Sequence, residues 1–454
     1  MASFHFQYLR IYMMFKNWDR SLITLLLLIL GLYSARINWH DGQWQHVIES
    51  DGKGYYAYLP AVFVYQDLHF AFYDSVDVQH AYDPSLAFDY RSQVHNVSIN
   101  KFYAGTAFCM LPFFIVAHGI SILFGLTADG YAQLYVVFLT LAALFYLGLG
   151  LHFFRKLLSA YQVKTRDRAL VIVSMLLGTN LFYYAIGEVS MSHVYSFAWV
   201  SVFLFFSHTF LHSDDGRFSW WLPFSLGMIV FIRPVNGLII FTWFFLAGDI
   251  QRLLIVIQQV LQQRIRTAIA LALLLIPPFL QLLIYKLQTG HFLIYSYGQD
   301  YFDFTNPHFS DFLWSYRKGY FVYTPLALIA CVGFWAIRKN RFQCVSILGF
   351  YIVLIYILSS WWNWYYGGSF STRVLVEYLP LTGLLFAFTL QWLSSKTARG
   401  ILYFLIVACI ALNQFQTMQY RYYMIHWSDM DRTRYWDAFL RWDTDLVKTQ
   451  SSNP

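Results

Sequence analysis

The sequence predicts an all-α polytopic membrane protein of about 11 transmembrane helices, and three observations carry that prediction. Only 12% of the 454 residues are charged, while 58% are apolar and 21% aromatic; average globular usage carries roughly twice that share of charge. The mean hydropathy is +0.46, which leaves too little charge to cover a water-soluble surface. Apolar runs of spanning length, ~17–25 residues, recur along the chain. Disorder, a coiled coil and a disulfide-stapled secreted scaffold each need a different composition. Residues 1–454 read as a single transmembrane domain, with a first outer loop over 38–126 and an outer-side tail over 419–454.

The first run, Ser21 to about Ile37, follows Arg10, Lys16 and Arg20 and lacks a small-x-small cleavage site, so a retained anchor is expected. Further runs fall near 131–154, 169–187, 194–211, 219–236, 237–249, 267–287, 320–337, 342–360, 374–392 and 400–418. The stretch 103–126 is ambiguous, and charge decides it. Short loops rich in Lys and Arg mark the cytoplasmic side. With the basic N-terminus inside, the clusters at 155–168 and 338–341 also fall inside only if 103–126 does not cross. On that reading 17 of the 31 Lys and Arg are cytoplasmic. Gly105, Pro112 and Gly119 argue against an uninterrupted helix there, so a re-entrant or juxtamembrane element is expected.

Two smaller readings complete the survey. The stretch 250–266 alternates apolar residues with Arg and Gln at helical spacing and is expected on the cytoplasmic interface. Cys109, Cys331, Cys344 and Cys409 form no CxxC and read as buried thiols. The net charge of +7 is dispersed in loop clusters without a basic face, so membrane lipids are the expected surroundings and nucleic acid is not an expected partner.

Candidate chemistry lies in the outer segments. Asp51, in Glu49-Ser50-Asp51-Gly52-Lys53-Gly54-Tyr55, opens a Tyr-rich amphipathic stretch. A carboxylate at the water–lipid boundary is partly desolvated and suits a base that takes a proton from a hydroxyl; a helix N-cap is the equal alternative. Glu49 and Asp41 are lesser candidates. In the turn Glu188-Val189-Ser190-Met191-Ser192-His193, ionisable groups at a span end facing a cavity are costly and usually functional. Glu188 and His193 suit a divalent metal, an oriented base, a sugar hydrogen bond or simple exposure to water, and two groups alone do not make a metal site.

Arg233, Arg317, Lys318 and Arg373 all sit at outer helix ends, against the positive-inside trend. Their convergence suits a phosphate at headgroup level, since the guanidinium fork gives two parallel charge-assisted bonds; anionic lipid headgroups are the alternative. The string Trp361-Trp362-Asn363-Trp364-Tyr365-Tyr366-Gly367-Gly368 is denser in rings than an interfacial belt requires. Trp362, Trp364 and Tyr366 are the candidate sugar-stacking rings. No Walker loop or Rossmann glycine fingerprint occurs, which leaves a donor held in the membrane.

The outer segment opened by Asp51, the turn at Glu188 and the string Lys101-Phe102-Tyr103-Ala104-Gly105-Thr106 with Leu111-Pro112 resemble the GT-C fold membrane glycosyltransferases, including protein O-mannosyltransferases and aminoarabinose transferases. The likeness covers roughly the first 210 residues. It implies a polyprenyl-phosphate-linked sugar donor, a glycan, lipid or protein acceptor, Asp51 as catalytic base, and Glu188 with His193 as second-loop acceptor groups. It also implies a bacterial inner-membrane location with the site facing the periplasm. The second turn lacks a DxD, and WWNWYYGG lies between spans rather than in a soluble domain. A lipid-linked glycan flippase and a pyrophosphate-linked glycan ligase or polymerase are the competing readings; a flippase would place ionisable groups at mid-span, often within inverted repeats.

Overall fold

The computed structural model describes residues 18–40, 42–76, 88–213 and 218–442; Asp41 and the tail beyond Trp442 lie outside them. The described residues open with α1 (Trp18–Asn38) and continue with α2 (Asp51–Phe63). A small hairpin follows, β1 (Arg91–Val94) against β2 (Val97–Asn100), with Val94 opposite Val97. Its two turn residues, His95 and Asn96, have φ of 53° and 62°, as a tight two-residue turn requires. This hairpin departs from the all-helical expectation. A strand pattern of four residues is too short to register against the surrounding apolar runs.

The bundle then runs α3 (Gly105–Leu123), α4 (Gln133–Ala160), α5 (Thr165–Leu177), α6 (Leu181–Ile186), α7 (His193–Leu211), α8 (Trp221–Ile232) and α9 (Pro234–Ala247). It finishes with α10 (Ile250–Gln262), α11 (Arg264–Thr289), α12 (Leu326–Ala336), α13 (Arg341–Ser359), α14 (Arg373–Trp392), α15 (Lys396–Arg421) and α16 (Arg432–Ala438).

Eight described helices are long and apolar enough to cross a membrane: α1, α3, α4, α7, α11, α13, α14 and α15. The apolar helices α8, α9 and α12 are shorter. The chain is therefore a helical polytopic protein, but the expected eleven spans are not met by length and composition. The run expected over 169–187 is broken, because α5 ends at Leu177 and α6 restarts at Leu181. In the gap, the Asn180 side chain donates to the Phe370 carbonyl at 3.3 Å. Of the four cysteines, Cys109 is buried and Cys331 lies exposed on the bundle surface, against expectation.

Hydrogen bonds and ion pairs sort the helix termini into two ends. At one end, Asp19 of α1 accepts from Arg168 at 2.7 Å and lies 3.7 Å from Arg155. Asp167 of α5 meets Arg399 of α15 at 3.0 Å there, and Arg252 of α10 donates to the Leu211 and Ser213 carbonyls that close α7. At the other end, Asn38 of α1 donates to the Ile186 carbonyl at 2.7 Å, and Arg421 of α15 to the Ile37 carbonyl at 2.9 Å. The Gln133 side chain of α4 reaches the Trp39 carbonyl at 2.7 Å at this same end.

Helix α3 starts at the second end. Its first residue, Gly105, packs so closely on the close of α8 that a Cβ there would lie 2.5 Å from the Phe231 carbonyl. Beyond its last turn, the Gly130 carbonyl accepts the Tyr56 hydroxyl of α2 at 2.5 Å, and Gln133 then begins α4. Contrary to expectation, α3 is uninterrupted and carries Pro112 inside it. The proline forfeits one backbone bond. Unwinding the turn in apolar surroundings would orphan several groups with no water to replace their partners.

Candidate functional site

The site lies at the end where α3 packs, and three chain breaks build it. The first is the entry to α2. Ser50 has φ 48° and precedes the first helical residue, Asp51, so the chain turns sharply and points Asp51 back toward the bundle. Gly52 then lets α2 touch the turn at 187–192. A Cβ on Gly52 would sit 2.0 Å from Ser190 Oγ, whose hydroxyl donates to the Val47 carbonyl at 3.1 Å. A small residue at this position is what brings the Asp51 loop and the Glu188 loop together.

The second break is Arg233-Pro234. A residue before proline is pushed away from helical backbone, and Arg233 has φ −150° and ψ 107°. Helix α8 ends there and the Arg233 side chain crosses to Glu377, Nη1 to Oε1 at 3.1 Å.

The third break is the entry to α14. Residues Arg373–Tyr378 wind as a 3₁₀ helix. In an α-helix, residues four apart share a face and an Arg–Glu pair would close on itself. With three residues per turn, Arg373 and Glu377 point in different directions. Each finds a partner on another element: Arg373 Nη2 donates to Asp51 Oδ2 at 2.5 Å, while Glu377 Oε1 accepts from both Arg233 and His193 Nδ1, each at 3.1 Å.

These pairs form one connected field. Tyr55, in the first turns of α2, is buried and lies within electrostatic reach of Arg233, Asp51 and Arg373; burial raises its phenol above the usual range. Arg373 lies within reach of Glu188 as well. Glu188 accepts the Tyr183 hydroxyl on Oε1 at 2.9 Å, and its Oε2 is buried without a hydrogen-bond partner. Burial lifts the Glu188 carboxyl to about 7 against the opposing field of Arg373. Glu377 is fully buried, and its Oε2 likewise has no hydrogen-bond partner.

The other expected residues separate into those that join this centre and those that do not. Lys318 is buried, donates to the Ser369 carbonyl and to the Trp427 carbonyl at 2.6 Å, and lies within reach of Glu188 and Arg373. Burial lowers its ammonium to about 7. Arg317 faces away. It holds the tail through the Ser428 carbonyl at 2.9 Å and Asp429 at 2.7 Å, with its guanidinium 3.4 Å from the Tyr365 ring centre. Glu49 pairs with His46 at 2.8 Å on the exposed side.

The three aromatic candidates do not form one platform. Trp362 is exposed, Trp364 stacks on His308 with centroids 5.7 Å apart, and the Tyr366 hydroxyl donates to the Leu358 carbonyl at 2.8 Å. Trp364 and Tyr366 are thus committed to different neighbours. His193 is turned to Glu377 and Glu188 to Tyr183, so the pair does not converge as metal ligands. Among the described residues no group of three or more His, Cys, Asp or Glu is placed to hold a metal ion.

Glu377 is the residue that sequence reasoning missed. It is the one carboxylate in the apolar run 374–392, and an ionisable residue inside a span is by itself a functional signal. Tyr55 was legible only as one of a run of aromatic residues. A cleft of about 520 Å³ lies apart from these residues, lined by His69, Asp74, Asp89, Arg91 and neighbours on the hairpin. There Arg91 meets Asp74 at 2.8 Å and Asp89 at 2.9 Å. No protein-family model, no curated protein and no solved structure matches this chain.

Proposed function

We propose that the chain is an integral membrane glycosyltransferase that moves a sugar from a polyprenyl-phosphate donor to an acceptor hydroxyl at the site end of the bundle. The observation that carries this reading is the Asp51–Arg373 pair, at 2.5 Å, inside a centre that also holds Arg233 and Lys318. A carboxylate for proton transfer and cations for a phosphate meet in one partly buried place. The GT-C resemblance of the first 210 residues and the outer-loop position of Asp51 point the same way.

In the proposed step the acceptor oxygen attacks the anomeric carbon, and the bond from that carbon to the phosphate oxygen breaks with its electron pair on the phosphate. Asp51 receives the hydroxyl proton as attack proceeds, a role worth ~10²–10⁴ in rate. Arg373 and Arg233 stabilise the charge on the departing lipid phosphate. The configuration inverts, because there is one displacement. Asp51 cannot act as a base while Arg373 holds it. The donor phosphate competes for that guanidinium, and its arrival frees the carboxylate, so donor binding precedes proton transfer.

The membrane arrangement belongs to the same proposal. Eleven crossings follow if α1, α4, the broken α5–α6 pair, α7, α8, α9, α11, α12, α13, α14 and α15 each pass once, with α3 lying along the surface. Support comes from Gly105 at the start of α3 and Gly130 beyond its end both packing at the site end, and from Arg155, Arg168, Arg252 and Arg399 gathering at the other. The site end then faces the periplasm of a bacterial inner membrane. The test is transfer from a labelled polyprenyl-phosphate sugar by the purified chain. Asp51→Asn should lose transfer while still folding and binding lipid; full activity in that variant would overturn the assignment.

A further inference from the structure

We infer that Glu377 is a positioning residue that holds Arg233 ready for the donor phosphate, an inference that rests on the lipid-phosphate reading above. Glu377 is wholly buried, and one of its oxygens takes both Arg233 Nη1 and His193 Nδ1 at 3.1 Å. Arg233 donates to Glu377 through Nη1, which leaves other N–H groups of its planar fork to meet a phosphate. The backbone adds to the fixing. Arg233 occupies the break between α8 and α9, where no helix turn restrains the side chain, so the contact from α14 defines its direction.

Asp51 and Glu377 are thus opposite kinds of arginine partner. Asp51 is the partly exposed carboxylate at the start of a short helix, and among the described residues its hydrogen-bond partner is Arg373; a phosphate displaces it. Glu377 is enclosed, balanced by two donors, and stays in place. Removing a displaceable partner should strengthen phosphate binding. Removing a fixed one should weaken it, because Arg233 must then be ordered by the ligand itself. Ordering one such side chain costs about threefold to tenfold in affinity.

The experiment measures binding of a polyprenyl monophosphate to the full chain in lipid nanodiscs, with neutral polyprenol as control, and follows thermal melting of every variant. Glu377→Gln should bind the phosphate about threefold to tenfold more weakly and raise KM for the donor by the same factor. Glu377→Asp should recover part of the loss. Arg233→Gln should weaken binding at least as much, and the double variant should bind no more weakly than Arg233→Gln alone, because the two residues act as one unit. The double variant also removes both charges together, which avoids the cost of a stranded buried ion. Tighter binding in Glu377→Gln, binding at wild-type strength, or a double variant whose loss equals the two single losses combined would overturn the inference. Wild-type protein that prefers neutral polyprenol or binds neither lipid would instead overturn the functional reading beneath it.

Discussion

The two ends of the bundle use the same chemical groups in different balance. At the end away from the site, Asp19 sits between Arg155 and Arg168, and Asp167 meets Arg399, so three arginines answer two aspartates. At the site end, Arg233, Lys318 and Arg373 face Asp51, Glu188 and Glu377, and two of those three carboxylates keep an oxygen without a hydrogen-bond partner. The first arrangement joins helices: α1 to α4 and α5, and α5 to α15. The second holds charges close together without matching them one to one. Buried ion pairs add little to stability when complete and cost several kcal/mol when broken. Asp19 at the far end likewise keeps one buried oxygen without a hydrogen-bond partner, 3.7 Å from Arg155, so among the described residues the two ends differ in degree, with two such carboxylates at the site end against one.

Substitutions at the site end should act on chemistry, and those at the other end on stability. Asp51→Asn should have the largest effect, a loss of ~10²–10⁴ in transfer rate, checked by single-turnover transfer with saturating donor. Gly52→Ala comes next. The added methyl has no room beside Ser190 Oγ, so the Asp51 and Glu188 loops must separate, and kcat/KM should fall more than tenfold, at a cost of ~1–3 kcal/mol of stability. Both changes are readable from transfer kinetics and thermal melting on the same preparation.

Glu188→Gln tests the partly matched end through pH. The folded state holds the Glu188 carboxyl at about 7, above its ordinary 4.5. Between those values the folded chain binds more protons than the unfolded chain, so stability falls as pH rises from 4.5 to about 7 and is flat beyond. Melting temperatures across that window should slope downward in the wild type relative to Glu188→Gln. A parallel pair of curves would remove Glu188 from the account. The smallest effect on transfer should come from Asp167→Asn, which breaks a staple at the far end. It should lower stability by ~1–3 kcal/mol and leave kcat within about twofold.

Much of this was legible in the sequence, and the reasons for the remainder are specific. The helical polytopic class followed from composition, and Asp51, Glu188, His193, Arg233, Lys318 and Arg373 were all legible as scarce polar residues at helix ends. Their pairing was not. Nothing in the string from Arg373 to Glu377 announces a 3₁₀ turn, and an α-helical reading would pair these two residues with each other. Arg317 and Lys318 are adjacent in sequence, yet one binds the tail and the other enters the centre, because both lie in the turn over 316–318, where neighbouring side chains leave in different directions. The ring-rich string 361–368 suggested a platform, but its rings serve separate loops. The hairpin at 91–100 escaped notice because its strands are four residues long, and the alternation of Val97-Ser98-Ile99-Asn100 is too brief to register. Pro112 was read as a helix breaker, a rule that holds where water can satisfy the freed groups.

Competition between Asp51 and the donor phosphate for Arg373 is the central claim. It is tested most directly by quantifying polyprenyl monophosphate on wild-type and Asp51→Asn protein by mass spectrometry of the lipid each retains. The variant should carry more of the phosphate lipid than the wild type, because its Arg373 is unclaimed, and should transfer sugar ~10²–10⁴ times more slowly. An Asp51→Asn protein that retains less phosphate lipid than the wild type, or that transfers at the wild-type rate, would contradict it.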